Sequence, residues 1–295
     1  MEYVEITKET EKKGQFAEQM CAFWKVFSIR KTAVFGLAIV CFVILIAILA
    51  PLLAPFDPVE DVDYGNRIAN PSATHLFGTD EFGRDIFSRV LMGAQVSIAI
   101  SVSAVTISAV IGIVIGLISG YYGRWVDNVL MRIVDGLMSF PPILFAIALM
   151  AALGNNMGNI IVALAVVYAP LFARLVRGTV LSVKNKEYVE AIQVMGGSHI
   201  RILFKHILPN CLSPLLIQMT TYFAYAILAE ASLSFIGLGV PQPEPSWGNI
   251  LYDGRQYMLE APWITVFPGV AIAVTVLGLN LLGDGLRDYL DPRMK

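Results

Sequence analysis

Residues 90–123 read VLMGAQVSIAISVSAVTISAVIGIVIGLISGYYG, without a single Asp, Glu, Lys or Arg. A helix needs roughly 20 mainly apolar residues to cross about 30 Å of hydrocarbon, and this run is longer than that. Working outward, residues 32–56, 136–173, 206–229 and 261–283 are equally free of charge. The run 136–173 is long enough for two crossings and is divided by the turn-like stretch Gly154-Asn155-Asn156-Met157-Gly158. The predicted spans are therefore 33–53, 95–118, 128–152, 160–175, 212–231 and 263–282, an all-α membrane protein of six transmembrane helices. Composition agrees: 56% of residues are hydrophobic and 15% charged, against about 45–50% and about 25% in soluble domains.

The positive charges set the orientation. With both ends inside, 17 of the 21 Lys and Arg fall in cytoplasmic segments, and only Arg67, Arg84, Arg89 and Arg255 lie outside. That bias predicts cytoplasmic N- and C-termini. The acid-rich external stretch 57–85 does not oppose it, because acids contribute little to the rule. The expected layout is a cytoplasmic tail over 1–31, the first helix with its external loop over 32–93, a membrane domain over 94–284, and a cytoplasmic C-terminal tail over 285–295. The first apolar run exceeds the 7–15 residues of a signal-peptide core, so it is read as an uncleaved span. Cys21, Cys41 and Cys211 lie outside the predicted external loops, which predicts no disulfide.

The cytoplasmic loop 177–210 reads RGTVLSVKNKEYVEAIQVMGGSHIRILFKHILPN. Its first part favours a helix that ends at Gly196-Gly197. A second short helix is predicted from His199 to Ile207, stopped by Pro209. Tyr188, Val189, Ala191, Ile192 and Met195 are expected on the exposed surface among charges. Such a protruding helix suits a partner's groove, and it equally suits a bed of lipid headgroups.

Glu190-Ala191-Ile192, Gly196 and Ile207-Leu208-Pro209 resemble the "EAA" loop of type I ABC importer permeases, with Ile192 where the second Ala usually stands. Further stretches resemble the C-type permease of dipeptide, oligopeptide and nickel importers. These are His75-Leu76-Phe77-Gly78-Thr79-Asp80 with Gly83-Arg84-Asp85, then Ser88-Arg89 and Gly93; Glu230-Ala231-Ser232-Leu233-Ser234; and Pro245-Ser246-Trp247-Gly248. Phe23-Trp24, Ala50-Pro51, and Gly283-Asp284 with Asp291-Pro292-Arg293 continue the likeness to both ends. The resemblance implies the type I ABC importer permease fold in a prokaryotic inner membrane. It makes the loop a coupling helix entering a cleft of an ATPase, with Tyr188, Glu190, Ala191, Gly196, Gly197 and Pro209 as its position-sensitive residues. It implies as partners a homologous second permease subunit, two ATPase subunits and an external solute-binding protein. No cofactor is expected on this chain; ATP and Mg would sit on the ATPases. Short peptides are the implied cargo, with nickel or metal chelates and glutathione-like compounds as alternatives.

Within the spans, Gly112, Gly116 and Gly120 recur every four residues and predict a close packing face, internal or against another subunit. Asp127, Arg132 and Asp135 open the third span; Arg132 and Asp135 share a helical face, so a helix-end ion pair or a gate contact is expected there. Pro141-Pro142 breaks the backbone ladder and predicts a kink that could line a pathway. Glu230, an acid near the external end of the fifth span, is expected to reach the outer interface or to meet substrate or the docked binding protein.

Nothing points to catalysis: there is no G-x-x-x-x-G-K-[ST] phosphate loop, no H-E-x-x-H or C-x-x-C metal pair and no G-x-S-x-G elbow. No basic run suggests nucleic acid. The competing reading is an ion-coupled secondary transporter, which would place acids near the midplane; no predicted midplane here carries a charge.

Overall fold

The computed structural model describes residues 27–28 and 30–290. Most of the predicted N-terminal tail, with Cys21 and Phe23-Trp24, and the final Asp291-Pro292-Arg293 lie outside them. The described chain is helical: α1 (Lys31–Leu53), α2 (Ile86–Tyr122), α3 (Arg124–Met138), α4 (Pro142–Leu153), α5 (Met157–Lys184), α6 (Glu187–Val194), α7 (His199–Phe235), α8 (Trp247–Gly254) and α9 (Trp263–Leu290).

Local chemistry sets most of the boundaries. Asp85 caps α2, its carboxylate accepting from the Ser88 backbone N–H and hydroxyl at 2.8 Å each. The cap starts the helix nine residues before the predicted span, so Arg89 lies inside the first turn. Asn156 caps α5 through the Asn159 N–H at 2.8 Å, and Ser246 caps α8 through the Asn249 N–H at 3.1 Å. Gly123, at φ +65°, ends α2 and turns the chain into α3.

Five helices are long and apolar enough to cross a membrane alone. The predicted third span is instead two helices, α3 and α4, meeting at 90°. Pro142 begins α4 where a missing N–H costs nothing, and Pro141 keeps Phe140 from continuing α3. The pair still connects opposite ends of the bundle. At one end the Tyr121 hydroxyl meets His199 Nδ1 at 2.7 Å; at the other, the Asn155 amide donates to Gly237 O at 3.0 Å. The bent pair is therefore the sixth crossing. Arg30 pairs with Asp288 at 3.0 Å, bringing both described termini to one end, as an even number of crossings requires.

The tightest packing joins α2 to α5. A Cβ placed on Gly116 would stand 2.7 Å from both Ala173 O and Val176 Cβ, one on Gly120 would be 2.8 Å from Val180 Cβ, and one on Gly112 would strike Phe172 Cβ. The glycine stripe is thus an internal packing face. A Gly116→Leu chain is expected to melt at a clearly lower temperature in detergent, because overpacking against backbone costs about 1–3 kcal/mol or more. Gly136→Leu, whose added Cβ meets nothing within 4 Å, should melt like the parent.

A second interface of small residues holds α1 against α9. Cβ atoms on Gly36 and Gly278 would lie 2.6 Å from Leu281 Cβ and 2.5 Å from Ile39 Cγ2. Most of α1 otherwise faces outward, with Phe35, Phe42, Ile48 and Leu52 exposed, as suits contact with lipid.

Candidate coupling and pathway sites

The cytoplasmic element is built on two anchors. Val189 is fully buried and Ile192, three residues on, is half-buried; both join the core cluster with Val183, Ile202, Leu203 and Ile207. The expectation that Val189 is exposed is therefore corrected: i,i+3 spacing turns one side of α6 inward. The opposite side carries Tyr188, Glu190 and Ala191, all exposed. Gly197 N–H donates to Ile192 O at 2.9 Å while Gly196 holds φ +80°, a six-to-one helix termination that only a residue at ease in left-handed backbone completes cheaply.

This termination throws an apolar knob into the open. Val194 is 88% exposed and Met195 77%, and Ile200 and Phe204 of the next segment are exposed beside them in the sequence of the loop. Pro209 does not stop a helix, contrary to expectation. Residues Ile202–Ile207 form a π-helical turn, with Leu208 N–H reaching back to Leu203 O. The widened turn carries the chain past Pro209 into the long α7 without a break. Behind the knob lies an open polar cleft lined by Tyr121, Lys184, Glu190, Gln193 and His199.

Charges on the cytoplasmic half pair across helices and not along α3, as had been expected. Arg177 of α5 grips Asp127 with both Nε and Nη2 at 2.6 Å, and the Ser119 hydroxyl donates to the same carboxylate. Asp135 pairs with Arg174 at 2.7 Å, both side chains more than half exposed, while its neighbour Arg132 is not its partner. α3 presents its acids to α5 because the 90° bend swings it away from the line of a straight span. Pro141 and Pro142 sit at that corner, both exposed.

Glu230 lies inside the fold and not on a surface. It is fully buried; its carboxylate accepts from the Ser97 hydroxyl of α2 at 3.0 Å and the Ser234 hydroxyl at 2.8 Å. Ser97 Oγ in turn accepts from the Trp247 N–H of α8 at 3.2 Å. The residue ties α2, α7 and α8 together at the outer end. Both of its oxygens are engaged there, so the expected contact with substrate or binding protein is not made in this conformation.

Sequence reasoning missed a second outer knot. Arg89 is 1% exposed; its guanidinium lies 3.5 Å from Asp80 Oδ2 and 3.5 Å from Asp253 Oδ2, and it donates to Pro58 O at 3.2 Å. Arg84 Nε donates to Asp80 at 2.7 Å. Burial pushes the Asp253 carboxyl above the usual carboxylate range, and does the same to Glu81. In sequence these arginines read as external positive charges and as part of a family-like stretch, neither of which says what they pair with; the available signal was the dense mixture of acid and base over residues 80–89.

Six crossings, cytoplasmic ends held together and a protruding helical loop define a polytopic transport permease of type I ABC importer architecture. The chain belongs to the binding-protein-dependent transport system inner membrane component family, whose profile matches residues 112–295. The profile of the N-terminal transmembrane domain of oligopeptide transport permease C matches residues 19–71, which places the chain in the C-type branch. It is 49% identical over 265 residues to the dipeptide transport system permease protein DppC of Alkalihalophilus pseudofirmus, covering 90% of this chain and 87% of that one. It is 47% identical over 273 residues to the glutathione transport system permease protein GsiD of Escherichia coli, covering 92% and 90%. The fold matches a chain of the inward-facing MetNI methionine ABC transporter with a TM-score of 0.56 at 21% identity, over 69% of this chain and 97% of that chain. A chain of an amino acid ABC transporter matches at 0.52 and 16%, over 67% and 92%. These relationships place the chain as a multi-pass permease of the inner membrane.

Proposed function

We propose that this permease forms half of a translocation pathway for short peptides, and that the loop around α6 couples it to an ATPase. The observation that carries the coupling is the apolar knob of Val194 and Met195, projecting beside Glu190 from a helix anchored by Val189. Large apolar side chains so exposed at a charged, cytoplasmic end mark a surface that another protein covers. A second, homologous permease completes the pathway. Two ATPases hold ATP and Mg, and an external binding protein delivers cargo. ATP-driven closure of the ATPases would draw the two coupling helices together and exchange inward- and outward-facing states. The named cargo of the relatives supports peptides. The glutathione permease relative supports a narrower reading, since glutathione is itself a tripeptide-like molecule.

The test is reconstitution of both permeases and both ATPases in proteoliposomes with the cognate binding protein. ATP-dependent uptake of trialanine is expected, and none when the ATPases or the binding protein are left out. Uptake by this chain alone, driven by an ion gradient, would instead establish the secondary-transporter reading.

A further inference from the structure

Gln218, Tyr222, Tyr225, Ala229 and Ser232 follow one another in α7 at steps of four, three, four and three residues, so they form one narrow stripe along the helix. Four of the five carry hydrogen-bonding side chains. Tyr225 is 54% exposed, Ser232 is exposed, and Gln218 and Tyr222 are partly so. The rings are held in place. Tyr168 of α5 meets Tyr222 edge-on at 5.1 Å, Phe172 backs Tyr222 at 5.3 Å, and Tyr222 lies 5.7 Å from Tyr225. The Tyr168 hydroxyl donates to the Tyr225 carbonyl at 3.4 Å.

The depth of the stripe is what singles it out. Tyr225 lies ten residues from the outer end of α7 at Phe235, about 15 Å by helical rise and hence near the middle of the hydrocarbon layer. Tyrosines that anchor a protein in lipid sit at headgroup level. The Tyr225 phenol, facing hydrocarbon at mid-depth, would lose its water and receive nothing in return; Gln218, two turns further in, shares a hydrogen bond with Tyr222. A groove that carries water or polar cargo satisfies the Tyr225 hydroxyl.

We propose that this stripe, with Tyr168 behind it, is a wall of the translocation pathway, and that it holds a passing peptide through uncharged hydrogen bonds to its amide groups. The proposal rests on the peptide-permease reading above. The Gln218 amide and the tyrosine hydroxyls both donate and accept, matching peptide N–H and C=O groups. The ring faces accept apolar side chains. The stripe bears no formal charge, because Glu230 on the same helix is turned into the packing with α2 and Asp135 is paired with Arg174. Such a wall recognises backbone and tolerates any side-chain charge, so peptide sequence should matter little here.

The test uses the whole transporter with Cys21, Cys41 and Cys211 replaced by Ser and single cysteines introduced as Gln218→Cys, Tyr225→Cys or Val270→Cys. Val270 of α9 is 53% exposed, as open as Tyr225 but on an apolar face. A charged, water-soluble methanethiosulfonate reagent is expected to label positions 218 and 225 and to leave 270 untouched, and trialanine with its binding protein should slow labelling at 225. If 218 and 225 prove as inert as 270 in both nucleotide-free and vanadate-trapped complexes, the wall assignment is wrong. Labelling that trialanine leaves unchanged, in a complex that transports trialanine, overturns the peptide contact. Labelling in a parent complex that transports no peptide instead removes the cargo reading and leaves the wet wall standing. Tyr225→Phe deletes only a hydroxyl; it should raise the KM for trialanine about fivefold, the effect of one hydrogen bond.

Discussion

A Gly196→Asp permease should reach the membrane in parent amounts and support no ATP-dependent uptake. The separation of folding from function follows from the geometry of the turn. Gly196 holds φ +80° and an added Cβ would meet nothing within 4 Å, so the cost is confined to left-handed backbone. That cost is about 1 kcal/mol for an ordinary residue and less for Asp, which tolerates this region. The bundle, anchored through Val189 and Ile192, would not register it. The tip would: a carboxylate appears between Met195 and the next exposed segment, on the surface assigned to the ATPase cleft. Quantifying the inserted chain by fluorescence-detected size exclusion, beside uptake in the same vesicles, separates the two effects. Parent-level uptake would remove the docking assignment. Gly197→Ala makes the contrast, since its Cβ would stand 2.6 Å from Ile192 Cγ2 and 2.9 Å from Ile192 O, forcing α6 itself to move. It should lower thermal stability as well as uptake.

The largest stability effect is expected from Arg89→Ala. The side chain is buried between Asp80 and Asp253 and holds Pro58 O, so its removal strands carboxylates away from water. Breaking a buried pair from one side costs about 3–5 kcal/mol, more than an isosteric apolar replacement of both partners. Arg84 remains to neutralise Asp80, so most of the penalty should fall on Asp253. Arg89→Ala combined with Asp253→Asn is therefore expected to recover a substantial part of the loss. Thermal unfolding of the four chains in detergent, treated as a double-mutant cycle, measures the coupling. A single Arg89→Ala chain melting with the parent would show that this knot does not hold the outer loop.

Much of the architecture was legible because hydrocarbon imposes a simple rule on backbone and charge. The charge-free runs located every crossing, and the Lys and Arg bias oriented them, with Arg30 and Asp288 meeting as that orientation demands. Pro141-Pro142 announced a break but not its 90° angle, nor that the bend would set Asp135 and Asp127 against Arg174 and Arg177, partners some forty to fifty residues away. The same distance hid the outer knot, because Arg89 and Asp253 are separated by 164 residues. Within the cytoplasmic loop 177–210, the glycine termination was visible from the sequence, whereas the π-turn that carries the chain past Pro209 has no local signature. The tyrosine stripe was overlooked because Gln218, Tyr222 and Tyr225 are unremarkable in an apolar run until the exposure of Tyr225 at mid-depth is known.

The clasp of α1 on α9 has a consequence for the order in which the protein is made. α1, the most apolar span, leaves the ribosome before the other described helices, and its partner leaves after them. Between them the membrane receives the other described helices; α2 packs on α1 near Val43 and Ala47, but the face of α1 notched for α9 waits in lipid until that helix arrives. Its near-total lack of polar side chains makes that wait harmless. The notches at Gly36 and Gly278 then close only once α9 is in place, and the Arg30–Asp288 contact forms no earlier than that.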